Sequence, residues 1–243
     1  MTERSLPKRV WYRFSQCVLQ LSGLLAFRVR YSGLRNIPTK GGVLVVCNHQ
    51  SALDPPLVGM ASPRRMNYLA RETLFRFAPL SWLIRSLDAI PVDREGIGLG
   101  GLKESLRRLK RGEMVLIFPE GTRTGDGEIA AFRPGFTALA VRSGAAILPA
   151  AIEGAFAAWP RHCVLPRLGR IHVYYGPPLS SREVKGWTHP ELLAEIERRV
   201  RECHARLRQH PAFARRCQAD QAGRAASRAG RAGPCAGGRQ VGA

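Results

Sequence analysis

The chain is predicted to be α/β, a single domain with a central mostly parallel sheet flanked by helices. Three observations carry that prediction. Short apolar runs alternate with helical patterns along the chain, the order that parallel strands with crossover helices require. Several of these runs end abruptly in polar residues, as strands do at the carboxyl edge of an open sheet, where α/β proteins place their chemistry. The 243 residues also suffice to bury one good-sized core.

Residues 7–30 (PKRVWYRFSQCVLQLSGLLAFRVR) carry Val10, Phe14, Cys17, Val18, Leu21, Leu24 and Leu25 at spacings of three and four. These make one helical face, with Trp11 beside it and basic residues at both ends. The pattern fits a core-packing helix or an amphipathic N-terminal helix lying in a membrane interface. A turn, SGLRNIP, follows. Val43 to Cys47 is an unbroken apolar run and reads as a fully buried strand. Asp54 before Pro55 and Pro56 reads as an N-cap with prolines in the first helical turn. Residues 64–69 are a second strand, 72–85 a helical stretch broken near Pro79, and 88–92 a short strand ending at Asp93 and Arg94. GIGLGG (96–101) lacks the strand and downstream acid of a dinucleotide loop and reads as a flexible loop. A helix over 102–110 stops at Gly112. Residues 115–118 form a buried strand leading into PEGTRT, followed by helix over 134–142 and strands over 146–152 and 170–175. A charged helix from about 190 to 209 closes the domain. Beyond about residue 212 the chain is rich in Ala, Gly and Arg and has too little apolar surface to order itself. The expected organisation is therefore an amphipathic membrane-associating helix over 1–32, a domain over 33–212 and a disordered basic tail over 213–243.

Lys and Arg number 38 against 18 Asp and Glu, a formal charge of +20. Such a surface favours anionic partners: nucleic acid, an anionic leaflet or an acidic carrier protein. The six cysteines form no C-x-x-C and no dense framework, so they read as free thiols rather than a disulfide scaffold or zinc site. No metal is expected. No apolar stretch is long enough for a transmembrane helix. Arg13, Arg28 and Arg30 and the absence of a small-residue cleavage site argue against a signal peptide.

The run VLVVCNHQSALDPP places His49 directly after the buried strand and Asp54 five residues on. Five helical residues rotate about 140°, so no helical face joins the two; a strand end turning into a helix does. A carboxylate hydrogen-bonded to one ring nitrogen fixes the imidazole tautomer, as a general base needs. No G-x-S-x-G occurs, and Ser51 is too near His49 in sequence to be taken as a nucleophile. In FPEGTRT (118–124), Gly121 permits a tight turn and close ligand approach. Arg123 there offers a planar fork for phosphate or carboxylate. Glu120 suits either orienting that arginine, as in a structural turn, or binding an acceptor hydroxyl. In IPVDR (90–94) another strand ends on an arginine, Arg94.

NHQSALD, DAIPVDR, FPEGTRT and the ILPAAI strand, in this order and at these intervals, resemble the four blocks of the glycerolipid acyltransferase family, over about residues 33–180. The resemblance implies the glycerolipid acyltransferase fold. It implies transfer of a fatty acyl chain from acyl-CoA or acyl carrier protein to the sn-2 hydroxyl of 1-acylglycerol-3-phosphate, giving phosphatidic acid. His49 would be the general base and Asp54 its orienting partner. Arg94, Glu120, Gly121, Thr122 and Arg123 would bind the glycerol phosphate, and Pro149 would be structural or line the acyl site. Val92 and Asp93 depart modestly from the family's second block, and Thr124 stands where the third block usually has serine. A thioester is already activated, so no cofactor, metal or covalent enzyme intermediate is required. The implied setting is peripheral, on the cytoplasmic face of an anionic membrane, with no specific nucleic acid. Two rival readings keep different parts of this: an acyltransferase acting on another lysolipid, and a non-catalytic basic protein binding membrane or nucleic acid.

Overall fold

The computed structural model describes residues 27–71, 90–92, 99–163 and 165–211. The expected amphipathic N-terminal helix up to residue 26, the stretch expected to be helical over 72–85, Arg94 and the basic tail lie outside them.

Seven strands form one sheet: β1 (Arg30–Ser32), β2 (Val43–Cys47), β3 (Met66–Arg71), β4 (Ile90–Val92), β5 (Met114–Ile117), β6 (Ala146–Glu153) and β7 (His172–Tyr175). Their spatial order is β1-β7-β6-β2-β5-β3-β4. All neighbouring pairs are parallel except β6 with β7. β2 is central, pairing Val46 with Ile117 of β5 and Cys47 with Ala150 of β6. The helices are α1 (Asp54–Met60), α2 (Leu99–Lys110), α3 (Gly135–Ser143), α4 (Ala155–Ala158), α5 (Ser181–Lys185) and α6 (His189–Gln209).

Alternation along the strands divides the core in two. Val43, Val45 and Cys47 pack on one face with Leu57, Val58 and Met60 of α1 and Ala155 and Ala158 of α4. Leu44 and Val46 pack on the other, against Leu109 of α2, Phe136 and Leu139 of α3 and Leu192, Ile196 and Val200 of α6. All five residues of β2 are buried, which explains its unbroken apolar run: a parallel strand covered on both faces has no polar side.

Three expectations are corrected. Arg30–Ser32, assigned to the N-terminal helix, is an edge strand; Arg28 has φ 41° and breaks the backbone just before it. Residues Leu99, Gly100 and Gly101, read as loop, are helical and form the first turn of α2. Asp54 is the first residue of α1 rather than its N-cap, a position that Leu53 holds. For an N-cap at 54, Pro56 would offer no amide at the second helical position, and the Leu57 amide at the third is already bonded to Leu53 O at 3.0 Å. Its carboxylate turns back towards the preceding loop instead.

Candidate active site

Parallel β2 and β5 end side by side at the carboxyl edge, and their exits form the site. Asn48 leaves β2 by bonding the end of β6 with its side chain: its Oδ1 accepts from Ile152 N at 2.8 Å and its Nδ2 donates to Ile152 O at 3.0 Å. That continues the ladder and sets the direction in which His49 leaves the sheet.

His49 is held at four points. Its amide donates to Glu120 Oε1 at 2.7 Å, and its carbonyl accepts from Thr124 N at 2.8 Å. Nδ1 lies 2.8 Å from Asp54 Oδ2. The ring stacks on Phe118 with centroids 4.1 Å apart and planes at 15°. Nε2 has no hydrogen-bond partner among the described residues, and the side chain keeps 19% exposure. With a carboxylate at Nδ1, a neutral ring carries its proton there and turns the Nε2 lone pair outward. The arrangement can take a proton from a hydroxyl placed at Nε2.

Asp54 is fully buried, and the same oxygen that meets His49 accepts from Gln50 N at 2.5 Å and Ser51 N at 2.7 Å. The turn from 49 to 54 is thus wrapped around one carboxylate oxygen. Ser51 is buried and its hydroxyl donates to Trp159 O at 2.9 Å, so it anchors the turn and does not face a substrate.

Glu120 neither pairs with Arg123 nor presents a free carboxylate. Oε1 receives the His49 amide and Oε2 receives Ala130 N at 2.9 Å. Burial pushes its carboxyl above the ordinary range, against the pull of those two amides and of His49. Thr124 is buried; its hydroxyl donates to Asp126 Oδ1 and accepts from the amides of Asp126 and Gly127. Because Glu120 holds the His49 amide and Thr124 holds its carbonyl, Gly121, Thr122 and Arg123 form a tip clamped beside the histidine. Gly121 has φ 72°, and a Cβ there would come within 2.8 Å of the Arg133 guanidinium. Thr122 is exposed and Arg123 half-buried, and Arg123 has no hydrogen-bond or ion-pair partner among the described residues. β4 ends at this same sheet edge, with Arg94 two residues beyond it. Pro149 is buried within β6, where its carbonyl accepts from Gly176 N.

Cys47 lies two residues before His49, but burial, reinforced by Asp54 and Glu120, pushes its thiol well up and keeps it neutral. It is a core residue, not a nucleophile. Among the described residues no cluster of three His, Cys, Asp or Glu is placed to hold a metal ion.

Asn48, Gln50, Ser51 and Thr124 were not singled out as positioning residues from the sequence. Gln50 is buried, with Oε1 accepting from Phe156 N and Nε2 donating to Gly127 O. Uncharged side chains next to a histidine carry no signal of their own; the only available hint was polar residues packed directly after a buried strand.

Comparison with known proteins places the whole segment in a family. A family model described as Acyltransferase matches residues 28–153, from just before β1 to the end of β6. A 1-acyl-sn-glycerol-3-phosphate acyltransferase of Bacillus subtilis is 29% identical over 82% of this chain and 99% of its own length. One from Pseudomonas aeruginosa is 34% identical over 78% of this chain and 72% of its own. The crystal structure of the 1-acyl-sn-glycerophosphate acyltransferase PlsC from Thermotoga maritima superposes with a TM-score of 0.71 at 26% identity, covering 84% of this chain and 83% of that one. The matched segment contains both the His49 turn and the clamped tip after β5, and on that footing the chain belongs to the acyltransferase family.

Proposed function

We propose that this protein transfers a fatty acyl chain from an acyl thioester to the sn-2 hydroxyl of 1-acylglycerol-3-phosphate, producing phosphatidic acid for phospholipid synthesis. The observation that carries the reading is the His49–Asp54 pair at 2.8 Å, with Nε2 open and the Gly121–Arg123 tip clamped beside it. The names of the Bacillus, Pseudomonas and Thermotoga relatives support the acceptor.

The acceptor hydroxyl donates its hydrogen to His49 Nε2 and gives up the proton as its oxygen attacks the thioester carbonyl. Asp54 holds the imidazolium that forms. The tetrahedral intermediate collapses with cleavage of the C–S bond, and the thiolate takes the proton, returning His49 to its neutral state. Such base catalysis contributes typically about 10²–10⁴-fold. Arg123, with Arg94 from the segment that follows β4, grips the phosphate, and Thr122 adds a hydroxyl at the exposed tip. Fixing the phosphate sets the position of the sn-2 hydroxyl over Nε2, an orientation effect of comparable or larger size. Glu120 acts through His49 rather than on the acceptor. No metal or organic cofactor is needed, and the donor is acyl-CoA or acyl carrier protein. The protein works peripherally on an anionic membrane surface at its cytoplasmic face.

The test compares 1-acylglycerol-3-phosphate with its phosphate-free counterpart, 1-monoacylglycerol, using both donor types and resolving products by mass. Wild type is expected to prefer the phosphate. Arg123→Ala should raise the acceptor KM by roughly ten- to a hundredfold, as loss of a charge-assisted contact predicts. The donor KM should move much less, and Arg123→Lys should not restore the wild-type value, because a point charge cannot reproduce the guanidinium fork. A wild type indifferent to the phosphate would overturn the acceptor assignment.

A further inference from the structure

The connection between α4 and β7, residues 160–170 (PRHCVLPRLGR), has no role in the chemistry above. It contains the two most exposed large apolar side chains among the described residues, Leu165 at 76% and Leu168 at 83% exposure. Arg161, Arg167 and Arg170 surround them, all exposed and without an ion pair among the described residues. The arginines of α2 and α6 behave differently: Arg107 and Arg108 pair with Glu104, and Arg198, Arg199 and Arg201 pair with Glu195 and Glu197. No acidic residue occurs between Glu153 and Glu183. The leucines therefore project from a stretch of purely positive charge.

The projection is built at its base. Arg167 N donates to Ala158 O at 2.7 Å, Cys163 N to Pro160 O at 3.0 Å, and Trp159 Nε1 to Cys163 O at 2.9 Å. A Cβ at Gly169 would rest against Ala158 at 3.5 Å. The loop is also tied to the active site: Trp159 O accepts the Ser51 hydroxyl, and Ser51 N donates to Asp54. Two hydrogen bonds separate the root of the loop from the carboxylate that orients His49.

We propose that this loop is a bilayer-contacting surface, inserting Leu165 and Leu168 at the headgroup boundary of an anionic membrane while Arg161, Arg167 and Arg170 meet lipid phosphates. Exposed leucines flanked by cations suit an interface that is apolar below and anionic above. An acidic protein partner would need an apolar patch of its own to cover the leucines, whereas an anionic bilayer offers phosphates and an apolar interior together, which favours lipid. Resting on the reading of a lipid acceptor, this placement delivers that acceptor from the bilayer next to His49.

Hydrogen exchange of the full chain, with and without vesicles of phosphatidylglycerol and phosphatidylcholine, tests the proposal without requiring turnover. Amides within 161–170 should exchange about tenfold more slowly or less when anionic vesicles are bound, and pure phosphatidylcholine should protect them less. Leu165→Ser with Leu168→Ser should abolish the local protection while amides of β2 and β5 keep theirs, which certifies the fold. Arg161→Gln should weaken vesicle partitioning by roughly fivefold. Unchanged exchange in the loop on adding vesicles overturns the proposal, as does protection that survives the double leucine variant or that only an acidic carrier protein produces. If the loop is protected but 1-acylglycerol-3-phosphate is not acylated, the acceptor assignment falls and the surface stands; acylation without loop protection gives the reverse.

Discussion

One oxygen of Asp54 gathers the Nδ1 of His49 and the amides of Gln50 and Ser51, all within 2.8 Å. The carboxylate therefore shapes the turn and orients the His49 ring at the same time. These duties separate by substitution. Asp54→Asn can place its amide oxygen where Oδ2 stands, so the three donors keep an acceptor but lose the negative charge that holds an imidazolium. Turnover should fall by about tenfold or more with the fold retained. Asp54→Ala removes the acceptor altogether and should also lower stability, by about 1–3 kcal/mol for buried donors left unmet. His49→Ala should lower turnover by at least about a hundredfold and unfold at the wild-type denaturant concentration. Steady-state kinetics beside urea titrations separates the outcomes, and an active His49→Ala protein would exclude His49 as the base.

The two exits from β2 and β5 behave as one unit because Glu120 and Thr124 grip the amide and carbonyl of a single residue. Glu120→Gln must turn an NH2 group towards either His49 N or Ala130 N, so one of the two bonds becomes a donor facing a donor. A loss of about 1–3 kcal/mol is expected, with reduced turnover because His49 is displaced. The pH dependence has a definite sign. Burial raises the Glu120 pKa above its ordinary value of 4.5, so the group's stabilising contribution is complete below that value and declines as pH rises through the raised pKa. The stability gap between wild type and Glu120→Gln should therefore be widest in acid and narrow towards neutrality; a gap that widens with pH would contradict the raised pKa.

Legibility in the sequence followed element length and the kind of partner. β2 shows as five apolar residues between polar ones, and α6 shows its period in Leu192, Ile196, Val200, Cys203 and Leu207. β1 and α4 have three and four residues, too few for any period to register. The separation of His49 and Asp54 indicated a strand-to-helix turn, because their charge and spacing are side-chain properties. The clamp by Glu120 was not legible: its partners are backbone amides, which every residue but proline carries, so nothing in the sequence marks them. Residue types alone suggested a Glu120–Arg123 pair or a contact to an acceptor hydroxyl, and the buried carboxylate instead accepts from two loop amides.

At the scale of the whole chain, the formal charge of +20 suits the anionic leaflet proposed as the source of the acceptor. Among the described residues no helix is long and apolar enough to cross a membrane. The sequence of residues 1–26 carries apolar residues at helical spacing and several cations, whereas residues 213–243 are basic with almost nothing large and apolar. Removing 1–26, which spares β1, should lower flotation with anionic vesicles more than removing 213–243, and the remaining binding should be the more salt-sensitive part. Equal flotation of both truncated forms would rule out the N-terminal segment as the anchor.

The proposed base and its orienting carboxylate both lie between the end of β2 and the first residue of α1, while the tip proposed to grip the phosphate hangs from β5. In that reading, chemistry and acceptor choice are carried by different stretches of chain, joined by the pairing of β2 with β5, the stacking of Phe118 on His49 and the backbone clamp of Glu120 and Thr124. Changes at 122 and 123 can retune which headgroup is accepted without disturbing proton transfer, provided those two clamping residues stay in place. The molecule is divided for redesign along the same seam: a fixed reaction centre on one strand exit, and an exchangeable recognition tip on the next.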